Sequence, residues 1–261
     1  NCLRKAYLVL QILERCALKH VITTFEGHSW ERLIFYQAHL NTNCLCFAYI
    51  HSPLFKNQHS IFRHLSKSYD PDVFLFAGEI IQNMFLTKCS FDNFDSYVLG
   101  SNRTFKIDDV IRKKRRFVSS ADNACLVLCE GINSEAKSLL LISLDCAIHY
   151  PNLKFIWRLH PLLSFNDLFS HDEIEKLPSN IFISERSFDL DISSSDYALY
   201  RGSSSIIQAI AGGLRPIYFK KANEMSIDPL FFINDWRIQV TNTTDLADCL
   251  ENEIIYDFSF E

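Results

Sequence analysis

The chain has 261 residues, a length that suggests one large domain or two of ordinary size. Hydrophobic residues make up 48% of it, which is enough for a packed core and too many for a disordered chain. The 26 Lys and Arg against 31 Asp and Glu give a formal charge of −5. This balance argues against a general nucleic-acid binder, because phosphate neutralisation needs an excess of basic surface.

The nine cysteines are expected to be free, buried thiols. No Cys-x-x-Cys pair and no Cys/His cluster with zinc spacing occurs. Cys44 and Cys46 alternate within an apolar run, and Cys125 and Cys129 flank another, as small buried hydrophobes do. We therefore expect a reducing, cytoplasmic compartment and no metal ligands. All apolar runs fall short of the ~18–20 residues of a membrane span.

Helix and strand patterns alternate through the first half of the chain. Strand, turn, helix and strand at this spacing predict a parallel α/β sheet. Because the chain does not begin with Met and enters a helical pattern at once, we expect this first domain to be incomplete at its start. The predicted elements are helix 3–18, strand 21–25, helix 30–40, and strands 44–50, 72–76 and 97–99.

A polar and basic tract at residues 105–120 interrupts this rhythm, and we place the domain boundary near residue 115. The domains are then 1–115 and 116–261. The run Arg112–Arg116 has two interpretations. It is a solvated linker or helix end, or it contacts an anionic membrane surface, where each basic charge gains roughly 1 kcal/mol.

A second α/β series follows this tract and predicts a second Rossmann-like domain. A crevice between two such domains is a common ligand site. The predicted elements are strand 124–129, helix 135–147, strands 153–159, 181–183 and 196–200, helix 204–211, strands 216–219 and 236–240, and helix 244–250.

Two motifs in the second half of the chain directly follow predicted strands: Arg158-Leu159-His160-Pro161 and Arg201-Gly202-Ser203-Ser204-Ser205. They therefore lie at the carboxyl ends of strands, which line the ligand crevice of an open α/β sheet. Serine hydroxyls at the start of a helix can bind a phosphate, although Ser203 also suits a simple helix N-cap. A His-Pro turn supplies a hydrogen-bonding ring. The candidate residues for binding a nucleotide donor are Arg158, His160, Pro161, Arg201, Gly202, Ser203, Ser204, Ser205, Gly131, Ser134 and Glu135.

Two of these residues have alternative interpretations. Arg158 suits either a phosphate or a core carboxylate as its partner, and the sequence leaves both open. Ser134 suits either a phosphate contact or a cap for the helix that follows.

Candidates for the chemistry itself lie in the first half. Glu26 and His28 follow the strand at 21–25, and either can act as a general base if it reaches the attacking hydroxyl. An interdomain salt bridge or a helix cap is the alternative for this pair. His51 and Ser52 follow the next strand and are candidates for the acceptor side, although a plain turn also explains them.

The order Glu26-Gly27, His160-Pro161 and Ser203 to Ser205 resembles the three motifs of bacterial sialyltransferases of the GT-B fold. Similar elements occur in Kdo transferases and in CDP-glycerol polymerases, and several tracts also resemble surface-polysaccharide biosynthesis proteins. The resemblance implies two Rossmann-like domains facing a cleft, with Glu26 as the base. It also implies that His160 and the serines bind CMP. The acidic motif usually has two acidic residues, whereas here Phe25 precedes Glu26.

The function implied is a metal-independent glycosyltransferase without cofactor. It would move a sialic acid or Kdo type sugar from a CMP donor to a lipopolysaccharide or capsule glycan. Asp189-Leu190-Asp191 has the spacing of a metal motif but is expected in a polar loop. The alternatives are a CDP-glycerol type glycerophosphotransferase, a non-catalytic GT-B module and, more remotely, a UDP-sugar epimerase.

Overall fold

The computed structural model describes residues 2–16, 18–41, 44–101, 124–233 and 235–251. The chain forms two compact units, Asn1–Thr104 and Phe105–Glu261, and each is built on one parallel sheet. The predicted α/β class is therefore confirmed. The basic run Arg112–Arg116 and the predicted boundary near residue 115 lie outside the described residues, and both stay predictions.

The N-terminal unit has a four-stranded sheet in the order β1-β2-β3-β4, with every pair parallel. Its strands match the predicted ones to within two residues, and α3 was not predicted. The elements are α1 (Cys2–Arg15), β1 (His20–Thr24), α2 (Ser29–Asn41), β2 (Leu45–Ile50), a short 3₁₀ turn (Ser60–Phe62), β3 (Val73–Phe76), α3 (Glu79–Lys88) and β4 (Asp95–Val98).

Phenylalanine rings fill the core of this unit. Phe74 and Phe76 alternate along β3 and point to the same face of the sheet, as the period of two in a strand requires. Phe35 on α2 and Phe85 on α3 close over that face, and the Phe74 and Phe85 ring centroids lie 4.8 Å apart. This packing fixes the two helices against the sheet and so fixes the loops at its carboxyl edge.

The C-terminal unit has six parallel strands in the order β10-β9-β8-β5-β6-β7. The elements are β5 (Ala124–Leu128), α4 (Asn133–His149), β6 (Lys154–Arg158), a short 3₁₀ turn (Phe165–Asp167), α5 (His171–Glu175), β7 (Ile181–Ile183), α6 (Phe188–Ser193), β8 (Tyr197–Tyr200), α7 (Ile206–Ala211), β9 (Arg215–Phe219), β10 (Ile238–Val240) and α8 (Thr243–Glu251).

This strand order is that of a doubly wound, Rossmann-like sheet. The chain leaves β5 in one direction for β6 and β7 and returns on the other side at β8, so the topological switch lies between β5 and β8. Leu128 at the end of β5 is in register with Arg158 of β6 and with Tyr200 of β8. The three strands therefore end level, and the loops that follow them emerge side by side.

Helices cover both faces of the six-stranded sheet. Val127 of β5 packs with Trp157 and Leu139 in one core cluster, and Leu126 packs with Ile206 in a second cluster on the opposite face. The Trp157 indole N–H donates to the Ser143 hydroxyl at 2.9 Å, so this large buried ring keeps a hydrogen-bond partner.

Asp189-Leu190-Asp191 does not lie in a loop, and that prediction is wrong. The three residues are in α6, and Asp191 is fully buried. Its carboxylate accepts hydrogen bonds from Arg158 at 2.7 Å and from the Ser184 hydroxyl at 2.6 Å. Asp189 is exposed whereas Asp191 is buried and paired, so the pattern does not present two carboxylates to a metal ion.

The fold agrees with the expectation of free thiols. All nine cysteines are free and six are buried. Burial raises the pKa of Cys129 and Cys146 to about 12, so these thiols stay protonated and behave as small apolar side chains. Within the described residues, no helix is both long and apolar enough to span a bilayer.

Candidate functional site

The carboxyl edge of the C-terminal sheet brings three sequence motifs together. Glu130 and Gly131 follow β5, His160 follows β6, and Gly202 follows β8. Because these strands are neighbours and end level, residues about 70 positions apart become adjacent. In open α/β sheets this edge, at the switch point, is where ligands bind.

The Glu130 carboxylate lies directly against the backbone of Gly202, whose N–H donates to it. A Cβ atom on Gly202 would lie 2.5 Å from Oε2 of Glu130, so a larger residue there would displace the Glu130 carboxylate. Oε1 is buried and has no hydrogen-bond partner among the described residues. Glu130 is not among the site residues predicted from the sequence, although a carboxylate directly after a fully buried strand is a usable signal.

Charged neighbours surround Glu130. Burial raises its pKa, and the Glu135 carboxylate raises it further, whereas Arg201, the Gly202 N–H and Lys221 act in the opposite direction. The net effect disfavours the carboxylate form.

The His160 ring packs on Gly131, and a Cβ atom there would lie 3.2 Å from Nδ1 of His160. Nδ1 accepts a hydrogen bond from the Leu162 N–H at 3.2 Å. In a neutral imidazole only one ring nitrogen carries a proton, so this contact places the proton on Nε2. His160 therefore presents an N–H donor, and Pro161 fixes the turn behind it.

The serine motif does not cap α7. Ser205 is the N-cap residue but makes no side-chain cap, so the N-cap interpretation of Ser203 is wrong. Instead the hydroxyls of Ser203 and Ser205 lie 2.7 Å apart, with Ser204 half-buried between them. One hydroxyl of the pair donates to the other, which leaves the second hydroxyl hydrogen available to a ligand.

Both arginines of the two motifs are paired with carboxylates of the unit itself. Arg201 is buried and forms ion pairs with Glu135 and Glu224. Arg158 pairs with buried Asp191, which is the core-carboxylate alternative left open by the sequence. These pairs hold the strand ends in position, and direct binding of a donor by Arg158, Arg201 or Glu135 stays a prediction.

The loop after β5 leads into α4 without a serine cap. The N-cap of α4 is Ile132, so Ser134 lies inside the first turn and the cap interpretation of Ser134 is wrong. Gly131, Ser134 and Pro161 are exposed at the same edge of the sheet. Their contact with a donor stays a prediction.

A second set of polar side chains lies at the carboxyl edge of the N-terminal sheet. The Glu26 carboxylate is 3.2 Å from Nε2 of His28 and accepts a hydrogen bond from the Ser52 hydroxyl at 3.2 Å. About 37% of the Glu26 side chain is exposed, so a substrate can reach it. Hydrogen bonds thus connect three of the predicted residues, Glu26, His28 and Ser52. The fourth, His51, has a buried Nδ1 without a hydrogen-bond partner in the described part of the chain.

The turn that carries Glu26 is held from inside by Glu31. Glu31 is buried and accepts hydrogen bonds from the backbone N–H of Glu26 at 3.0 Å and of His28 at 2.7 Å. Since α2 begins at Ser29, Glu31 is its third residue and reaches back to the N-cap, as in a capping box. Gly27 has φ of +82°, and the backbone at Ser60 packs against it.

Comparison with solved structures supports a GT-B-like fold. The chain is similar to the UDP-GlcNAc 2-epimerase of Neisseria meningitidis bound to UDP-GlcNAc, with a TM-score of 0.60 and 13% identity over 95% of this chain and 71% of the other. It is similar to S. aureus MnaA solved with UDP, with a TM-score of 0.61 and 10% identity over 97% and 71%. It is also similar to the pneumococcal O-GlcNAc transferase GtfA in complex with UDP and GlcNAc, with a TM-score of 0.54 and 12% identity over 92% and 52%.

No protein-family profile and no curated protein matches the chain at the level of sequence. The similarity therefore rests on structure. It shows the two Rossmann-like units found in enzymes that use nucleotide sugars.

Gly27→Ala should lower the free energy of unfolding by roughly 2 kcal/mol or more, because the variant has both a strained φ and a backbone clash at Ser60. Denaturant unfolding measures this. Gly78→Ala is the matched control: Gly78 has φ of −172° and no atom within 4 Å of an added Cβ, so the loss should stay at about 1 kcal/mol or less. Equal stability of Gly27→Ala and wild type would contradict the described turn.

Glu130→Gln should raise the melting temperature at neutral pH. The folded state raises the pKa of Glu130 above its ordinary 4.5, so it binds this proton more tightly than the unfolded state does. Stability is then lost as the pH rises through and above 4.5, and the advantage of the variant should vanish below that pH. Melting curves between pH 4 and 8 test this.

Glu173→Gln is the control of opposite sign. Hydrogen bonds from the Ser170 backbone and hydroxyl lower the pKa of Glu173, so this variant should be the less stable protein at neutral pH. If Glu130→Gln also destabilised the protein at neutral pH, the folded state would stabilise the ionised Glu130 carboxylate. This result would contradict the environment described for Glu130.

Proposed function

We propose that the C-terminal unit binds the nucleotide part of a nucleotide sugar at the edge formed by β5, β6 and β8. The observation that carries this proposal is the convergence of an Nε2–H donor, a hydroxyl pair and an unpaired carboxylate oxygen at the switch point. Donors suit phosphate oxygens, and an acceptor suits the hydroxyls of a ribose or a sugar. Proteins of similar structure were solved with UDP or UDP-GlcNAc, which supports the ligand class.

The hydrogen-bond donors and acceptors of this site suggest where the phosphate and the hydroxyl groups of the ligand bind. Glu130, which follows β5, offers an acceptor, whereas the phosphate needs the donors of His160 after β6 and of the serines Ser203 to Ser205 after β8. The half-buried Glu130 side chain then accepts a hydrogen bond from a ligand hydroxyl. Such fixed donors stabilise a leaving phosphate without a metal ion.

For the reaction we infer glycosyl transfer, with Glu26 of the N-terminal unit as the general base. Glu26 takes the proton of an acceptor hydroxyl, the acceptor oxygen bonds to the anomeric carbon, and the bond from that carbon to the nucleotide phosphate breaks. His28 and Ser52 orient the carboxylate through their hydrogen bonds. The motif order favours a CMP donor carrying a sialic acid or Kdo type sugar, and a surface glycan as acceptor.

A nucleotide-sugar epimerase is the second candidate. The similarity to the UDP-GlcNAc 2-epimerases spans 71% of their chains, against 52% of the GtfA chain. An epimerase converts its nucleotide sugar without an acceptor, whereas a transferase needs one. Incubation with and without a saccharide acceptor therefore separates the two.

Nucleotide binding tests the donor site. We expect calorimetric titration with CMP, UMP, CDP and UDP to show binding of at least one of them. The His160→Ala, Ser203→Ala double variant should bind it about 100-fold or more weakly, since each hydrogen bond to a charged group contributes about 1.5–3 kcal/mol. The control is a His149→Ala, Ser193→Ala variant, which changes exposed residues outside this edge.

The donor-site proposal fails if none of the four nucleotides binds, or if the double variant and the control bind equally well. Preference for a cytidine over a uridine nucleotide would support the CMP donor. The reverse preference would support the UDP-sugar alternative.

Glu26→Gln should lower kcat by about 10²–10⁴-fold while nucleotide affinity stays unchanged, because only proton transfer is lost. The measurement is product mass after reaction of nucleotide sugars with saccharide acceptors. Glu79→Gln, an exposed carboxylate in the first turn of α3, is the matched control and should keep wild-type turnover.

Other products of the same assay identify the alternatives. A transferred glycerol phosphate indicates the glycerophosphotransferase, and nucleotide binding without turnover of any donor indicates the non-catalytic module. Full activity of Glu26→Gln would remove Glu26 from the role of base.

A further inference from the structure

Three potential metal ligands meet at the amino edge of the N-terminal sheet, away from Glu26. His39 lies on α2, Cys46 is the second residue of β2, and Asp72 directly precedes β3. One ligand atom from each lies within 4.8 Å of the other two. The three residues are separated by 7 and 26 positions in the chain, so they do not form a short sequence motif.

The His39 ring faces two hydrogen-bond acceptors. Nδ1 is 3.0 Å from the Ser68 carbonyl oxygen, and Nε2 is 3.1 Å from Oδ2 of Asp72. A neutral imidazole has only one N–H and can satisfy only one of them. A cation between Nε2 and the carboxylate would satisfy the acceptor that the neutral ring leaves without a donor.

The orientation of these groups favours a cation. Histidines that bind a metal usually donate the other ring N–H to a backbone carbonyl or carboxylate, as Nδ1 of His39 does to Ser68. The Cys46 backbone N–H donates to Oδ2 of Asp72 at 2.8 Å, which fixes the carboxylate as well. The Cys46 Sγ lies within 4.8 Å of both ligand atoms and 3.9 Å from the Cys44 carbonyl oxygen, so the three groups form a partly built coordination sphere.

The donor set and the distance between Nε2 of His39 and Oδ2 of Asp72 fit zinc. Ligand atoms about 2.0–2.1 Å from a tetrahedral zinc ion lie roughly 3.3 Å from each other, close to the 3.1 Å between Nε2 and Oδ2. A thiolate, an imidazole and a carboxylate together suit this ion. The His39 and Asp72 side chains are 18% and 25% exposed, so an ion can enter.

We propose that Nε2 of His39, Sγ of Cys46 and a carboxylate oxygen of Asp72 bind one zinc ion, with water as the fourth ligand. Binding releases the Cys46 thiol proton to solvent. The ion fastens α2 to the amino ends of β2 and β3. Cys46 lies four residues before the end of β2, about 13 Å along the strand, so the ion takes no part in the chemistry proposed for Glu26.

The test uses the whole chain after removal of metal by a chelator. Cobalt(II) is added as a spectroscopic probe, and one equivalent should produce the charge-transfer absorption of a cobalt–thiolate bond. Zinc alone should raise the melting temperature. Cys46→Ser should abolish the absorption, and Cys46→Ser and His39→Gln should weaken zinc binding by roughly 10–100-fold or more.

Cys44→Ser is the matched control. Cys44 is also buried, lies two residues earlier and donates its thiol to the Leu18 carbonyl oxygen. This variant should keep both the cobalt absorption and the zinc-induced rise in melting temperature.

The wild-type spectrum decides the matter even if Cys46→Ser fails to fold. The absence of charge-transfer absorption, together with no effect of zinc on the melting temperature, would overturn the proposal. Absorption that persists in Cys46→Ser but is lost in Cys44→Ser would also overturn it.

Discussion

Every described strand of both sheets runs parallel to its neighbours, and this constraint decides where chemistry can occur. In a parallel sheet all carboxyl ends lie at one edge, so each crossover delivers a loop to the same place. In the C-terminal unit the register of Leu128 with Arg158 and Tyr200 levels three strand ends. The hydrogen-bond ladder therefore places the His-Pro and serine motifs at the same edge, on either side of the loop after β5.

Glycines allow the backbone approaches on which both candidate sites depend. Gly202 lets the Glu130 carboxylate lie against the loop after β8, which ties the two sides of the topological switch together. Gly27 lets the chain turn sharply after β1 beneath the Ser60 backbone, so that Glu26 faces His28 and Ser52. In each case a carboxylate is held in place by the unit around it.

The sequence predicted the strands well because buried parallel strands are short apolar runs that end in turns. It also located His160 and the serines, whose positions follow directly from the strand ends. It did not identify the partners of those residues. The pairing of Arg201 with Glu135, the burial of Asp191 in a helix and the meeting of His39 with Asp72 all depend on register between distant segments. Local patterns carry no information about that register.

The central claim is that a nucleotide binds at the carboxyl edge formed by β5, β6 and β8. Hydrogen–deuterium exchange of the whole chain with and without saturating UDP or CMP tests it most directly. The account predicts slower exchange in the segments 129–134, 158–162 and 200–206 when the nucleotide is bound. Protection confined to other segments, or unchanged exchange in these three at saturation, would contradict it.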